Sequence, residues 1–138
     1  PPHPDDWALV VLSKPLGEKY GTIGFAEIDS AELASESFQE KLLMVGYSGD
    51  YPVENPGQTA GAHAGCTVLG EDNLEVVYHE CDTFPGSSGG PVLAEIDEQF
   101  YIVALNSAEA RDSFGEGVVN YAVKVPRMLR QIRAQLTN

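Results

Sequence analysis

The chain has 138 residues, 43% of them apolar, and a formal charge of −13. That is enough for one domain with a core, and it excludes a fibrous or disordered chain. The negative charge disfavours nucleic acid and anionic membranes as partners, because both present phosphate to a surface that repels it.

The 14 glycines and 9 prolines are scattered without a period, as in a turn-rich β protein. No apolar run is long enough to cross a bilayer. The opening Pro-Pro-His-Pro-Asp-Asp is neither basic nor apolar, so it has no signal-peptide pattern and is expected to be a processed or truncated end.

Trp7 to Ser13 is an apolar run with β-branched residues, which predicts a strand buried on both faces. Lys14-Pro-Leu-Gly17 breaks it. Residues 20–28 are extended or loop-like. Residues 30–41 have weak helical character, with Ser30 as a cap and Glu32 near the helix start. Leu42 to Tyr47 predicts a second buried strand, and residues 55–62 a loop. Cys66–Leu69 and Leu74–His79 predict a hairpin around Gly70-Glu-Asp-Asn73. Gly90–Ala94 and Phe100–Leu105 predict a strand pair, and Gly117–Val123 a further strand. Residues 125–136 predict a helix, with Met128, Leu129, Ile132 and Leu136 at helical spacing. Six or seven short strands, one terminal helix and no βαβ alternation give an all-β barrel or sandwich.

Two cysteines, Cys66 and Cys81, flank the hairpin. They form either a disulfide or two buried thiols. The disulfide is the expectation, and it implies an oxidising, extracytoplasmic location. A turn centred near Glu71-Asp72 does not set the cysteines opposite each other, so a bulge or longer loop is needed. Glu71-Asp72-Asn73 and Glu109-Ala110-Arg111-Asp112 are acidic enough to consider for calcium, although neither has the ligand spacing of an EF-hand loop. No cysteine–histidine cluster has zinc spacing. No cofactor is expected.

The chemistry-bearing segment is Cys81-Asp-Thr-Phe-Pro-Gly-Ser-Ser-Gly-Gly-Pro-Val92. A serine nucleophile needs an exposed hydroxyl and backbone N–H groups aimed at a developing oxyanion. Glycines around the serine allow the required dihedrals and a close approach to substrate. An ordinary Gly/Ser/Pro loop is the plain alternative. A strand, not a helix, follows the motif, which disfavours the nucleophile elbow of a parallel-sheet hydrolase.

The segment resembles the nucleophile motif of the chymotrypsin family, Gly-x-Ser-Gly-Gly-Pro followed by an apolar strand. The resemblance makes Ser88 the nucleophile and Gly86 with Ser88 the oxyanion hole. Asp6-Trp-Ala-Leu-Val-Val-Leu12 is similar to the family's catalytic-aspartate motif, with Asp6 as the acid and Asp5 outside it. Cys81-Asp-Thr83 and Gly46-Tyr-Ser-Gly-Asp50 resemble secreted bacterial members related to glutamyl endopeptidases. The resemblance covers almost the whole chain, with residues 14–40 matching poorly.

It implies a chymotrypsin-like antiparallel barrel. Residues 1–13 would be the last strand of a first barrel, 14–40 a connection, 41–124 the second barrel, and 125–138 a terminal helix. The family's histidine motif is absent. His3 is expected to be an exposed tail residue, His63 to lie in a flexible segment, and His79 to end a strand. None is expected to be the base. A separate chain or a preceding segment is therefore expected to supply the first barrel and the histidine.

By offset from Ser88, Asp82 stands where trypsin-like members place an acid at the base of the specificity pocket. Thr83 resembles the pocket threonine of glutamyl endopeptidases. Asn106 stands where those enzymes have a histidine, and Ser107 and Ala108 stand in place of the usual Trp-Gly. Loss of the histidine argues against a glutamate preference and leaves a lean to Arg or Lys. The implied function is a serine endopeptidase acting on protein or peptide through an acyl-enzyme. The alternative is an inactive pseudo-peptidase that binds protein.

Overall fold

The computed structural model describes residues 2–137. Its elements are α1 (Leu16–Tyr20), β1 (Gly24–Phe25), α2 (Ser30–Leu33), β2 (Leu42–Gly46), β3 (Gly61–Cys66), β4 (Val68–Glu71), β5 (Val76–His79), β6 (Pro91–Ile96), β7 (Gln99–Arg111), β8 (Gly117–Lys124) and α3 (Val125–Leu136). The main sheet runs β3-β2-β6-β7-β8-β5-β4, with every pair along this path antiparallel. Two-residue β1 joins β7 in parallel.

The two outer strands of the path, β3 and β4, are separated in sequence only by Thr67. A sheet whose opposite edges are joined by one residue has to curl, and the result is a half-barrel. The main core cluster includes Leu42, Met44, Val68, Val77, Val92, Ala94, Val103, Ala104 and Ala122, all buried. Strand β7 is central and long. Register shifts between Asn106 and Ala108 and between Ala110 and Arg111 let it bend with the curl.

Cys66 and Cys81 form a disulfide with Cα atoms 4.8 Å apart. It ties the end of β3 to the segment after β5. The misalignment expected from the hairpin is taken up by a register shift between Val68 and Gly70. Asp72 shapes the turn by accepting from the N–H groups of Leu74 and Val76 at 2.8 and 3.0 Å.

Four sequence expectations are corrected. Trp7–Ser13 is not a strand: it has no sheet partner among the described residues, and Leu9, Val10, Val11 and Leu12 are each more than half exposed. An apolar run becomes a strand only where a neighbour takes its backbone groups. The helix expected over 30–41 stops at Leu33. Its cap is Asp29, whose side chain accepts from Glu32 N–H at 2.8 Å, in place of Ser30. Residues 61–65, read as loop and flexible segment, belong with Cys66 to β3, a Gly/Ala-rich strand with no β-branched residue, held by pairing to β2. Lys14-Pro-Leu-Gly, read only as a breaker, leads into α1.

The terminal helix forms as expected, with Pro126 in its first turn and Val125 and Met128 buried. It also holds the N-terminal segment. Arg127 Nε donates to Asp5 Oδ1 at 2.8 Å, Gln131 Nε2 donates to the same oxygen at 2.6 Å, and Trp7 Nε1 donates to Gln131 Oε1 at 2.9 Å. No helix among the described residues is long and apolar enough to cross a membrane.

The disulfide encloses a loop with a sequence separation of 15. Replacing both cysteines by alanine is expected to cost about 3 kcal/mol in urea denaturation, the loop-closure entropy restored to the unfolded chain.

Candidate active site

The glycine-flanked serine loop, residues 85–90, sits between the turn after β2 and the middle of β7. Gly86 has φ +110°, and a Cβ there would lie 2.6 Å from Tyr47 O. A Cβ on Gly90 would lie 2.3 Å from Val45 O. Both positions therefore require glycine for space, and Gly86 requires it for conformation as well. Gly89 N–H donates to Asn106 O at 2.7 Å and Asn106 N–H donates to Gly90 O at 2.9 Å, which docks the loop on β7.

The two adjacent serines differ in environment. Ser87 is buried, with its Oγ 2.7 Å from Ser48 Oγ. Ser88 is exposed, and its Oγ donates to Ser107 O at 2.9 Å. The Ser107 hydroxyl in turn donates to Asp6 Oδ2 at 2.6 Å. One residue of β7 thus touches both Ser88 and Asp6. Among the described residues, the N–H groups of Gly86 and Ser88 have no protein acceptor.

No histidine bonds to Ser88 among the described residues. His3 is exposed, as expected, and shares a cleft of about 380 Å³ with Asp6, Ser107 and Ala108. Its Nδ1 accepts from Asp5 N–H at 3.1 Å, which puts the ring proton on Nε2. His63 is tied down in the same way, its Nδ1 accepting from Asp82 N–H at 2.7 Å. His79 is fully buried, with Nε2 3.1 Å from Asn106 Oδ1 and Nδ1 without a partner.

The cleft beside Ser88 holds about 270 Å³ and is lined by Thr83, Phe84, Pro85, Asn106, Ala108, Glu109 and Arg111. Of the residues expected to form a specificity pocket, Thr83, Asn106 and Ala108 line this cleft. Asp82 does not line this cleft. It faces a separate cavity with His63, Asp50 and Tyr51, because its N–H is drawn to the His63 ring. Ser107 also departs from the pocket wall, since its hydroxyl is committed to Asp6. No expectation had assigned that link, and the bond crosses 101 positions of sequence that no local pattern reports.

The acidic segments considered for calcium are occupied by protein partners. Glu71 holds Lys124 at 2.6 Å, Asp72 caps its own turn, Glu109 pairs with Arg111, and Asp112 accepts from Phe114 N–H and Glu116 N–H. Among the described residues no three His, Cys, Asp or Glu side chains form a metal-binding group.

The chain matches no protein-family model and no curated protein sequence.

Burial pushes the His79 imidazole down to about 4 from its ordinary 6.5, with the Asn106 hydrogen bond opposing the shift. Because the folded value is depressed, neutral His79 contributes stability that is fully present above pH 6.5. That contribution, on the order of 3 kcal/mol, is lost as pH falls toward 4. An NMR titration of the His79 ring is expected to show a midpoint near pH 4, and a midpoint at or above 6.5 would contradict the burial argument.

Proposed function

We propose that this chain is the nucleophile-bearing part of a serine endopeptidase of chymotrypsin-like fold, with Ser88 as nucleophile, Asp6 as the acid of the triad, and Gly86 and Ser88 N–H as the oxyanion hole. The observation that carries the reading is the relay Ser88 Oγ to Ser107 O and Ser107 Oγ to Asp6 Oδ2, at 2.9 and 2.6 Å. It sets an exposed hydroxyl and a carboxylate on either side of one residue, beside two unpaired backbone donors and a cleft. These are the parts acyl transfer needs apart from the base.

The base would be a histidine placed between Ser88 and Asp6 by a first-barrel portion outside residues 1–138. Its docking site would be the exposed run Leu9-Val-Val-Leu12, which displays unpaired backbone and apolar side chains beside Asp6. Once seated, the histidine would take the Ser88 proton as Oγ attacks the carbonyl, and return it to the leaving amine. The Asp6 carboxylate would orient the ring and stabilise its charged form. The disulfide suits an extracytoplasmic, oxidising location for this activity.

Fluorophosphonate labelling of the complete protein tests this. Ser88→Ala is expected to abolish labelling and Ser87→Ala to leave the reactive hydroxyl in place. Asp6→Asn is expected to slow hydrolysis by about 10⁴-fold, through loss of the correct histidine tautomer. Absence of labelling in a folded, complete protein would favour a pseudo-peptidase that binds protein without cleaving it.

A further inference from the structure

The cleft beside Ser88 has a polar wall whose donors and acceptors are fixed by residues behind it. Asn106 is 5% exposed, and its Oδ1 is 3.1 Å from His79 Nε2. A proton on His79 Nδ1 would be an orphaned buried N–H, because that atom has no partner. Orphaned buried N–H groups are rarer than under-satisfied acceptors. The ring proton is therefore assigned to Nε2, and Asn106 Oδ1 accepts it. The Asn106 NH₂ has no protein acceptor among the described residues and is not a fully buried atom, so it is the donor left to the cleft that Asn106 lines.

Thr83 is polarised in the opposite sense. Asn120 Nδ2 donates to Cys81 O at 2.8 Å, which leaves Asn120 Oδ1 as the acceptor for the Thr83 hydroxyl, also at 2.8 Å. The Thr83 proton is spent on that bond, so Thr83 Oγ1 offers the cleft only lone pairs. One wall thus carries a fixed donor at Asn106 and a fixed acceptor at Thr83.

We propose that this cleft takes a primary carboxamide side chain, glutamine or asparagine, at the residue whose carbonyl Ser88 attacks. The proposal rests on the peptidase reading only for which substrate residue is held. The ligand carbonyl accepts from Asn106 NH₂, and the ligand NH₂ donates to Thr83 Oγ1. A carboxylate sets oxygen against the Thr83 lone pairs. A guanidinium or ammonium finds no unpaired acid in the lining, since Asp82 faces another cavity and Glu109 is paired with Arg111. The lean to basic residues drawn from the position of Asp82 is replaced by this preference. A site built to pair both halves of a polar group rejects analogues that leave one half unpaired.

The test is an NMR titration of the complete ¹⁵N-labelled protein with acetyl-Gly-Gln-methylamide and its Glu and Arg counterparts, following the Asn106 side-chain NH₂ and Thr83. The Gln peptide is expected to bind at least about tenfold more tightly than either counterpart. Thr83→Val, which keeps the shape and removes the acceptor, is expected to bring the Gln and Glu peptides within about twofold of each other. Equal or tighter binding of the Glu or Arg peptide, or unchanged discrimination in Thr83→Val, overturns the proposal. Fluorophosphonate labelling of the same sample separates the two readings. A Gln preference without labelling sinks the peptidase and supports the carboxamide site. Labelling with a Glu or Arg preference does the reverse.

Discussion

The site depends on two consecutive residues of β7, Asn106 and Ser107. Their carbonyls hold Gly89 N–H and the Ser88 hydroxyl, and their side chains reach His79 and Asp6. In a regular strand, neighbouring side chains leave on opposite faces and one backbone edge is taken by each partner strand. The register shift between Asn106 and Ala108 breaks that rule locally. It frees Ser107 from the ladder, so its carbonyl can accept from the Ser88 hydroxyl while its own hydroxyl donates to Asp6. The bulge is a site-building device, and it sits where the sheet bends.

Charge is used for attachment. The chain is strongly acidic, and several of its cations lie on α3 or just before it. Lys124, Arg127, Arg130 and Arg133 pair with Glu71, Glu75, Asp5 and Glu27. Arg127 holds the Asp5 carboxyl below its usual range. Each pair at such exposure is weak. Arg127, together with Gln131 and Trp7, sets where residues 5–7 lie, and therefore where Asp6 lies. Asp5, which falls outside the aspartate motif, is the residue that anchors Asp6 to the helix.

Much of the fold was legible in sequence because it is written in local patterns. Leu42–Tyr47, Gly90–Ala94, Phe100–Leu105 and Gly117–Val123 are apolar enough to announce strands, whereas the extension of β7 through Arg111 is polar and is held by its pairing to β8. The spacing of Met128 and Leu129 with Pro126 announces the helix. Strand β3 was not legible, because Gly-Ala-His-Ala-Gly has no strand preference and is held by its partner. The Trp7–Ser13 run differs for the complementary reason: it has strand composition and no sheet partner among the described residues. In the site, the glycine loop was legible through its composition. Motif offset alone separates Ser88 from Ser87 in the sequence; the structure adds that Ser87 is buried against Ser48 and Ser88 is exposed.

The sequence alone determined an acidic, β-rich domain with a terminal helix, a cysteine pair suited to a disulfide, and a glycine-flanked serine loop, all properties of composition and short-range spacing. Only the tertiary structure decided which residues meet. It turned Asp82 away from the Ser88 cleft and toward His63. It put Ser107 between Asp6 and Ser88, and it placed His79 behind Asn106 and Asn120 behind Thr83. Those pairings follow from the order of strands in a curled sheet and from one bulge in β7. Hydrogen-bond polarity at the cleft is inherited from partners 27 and 37 positions away, beyond the reach of any local pattern.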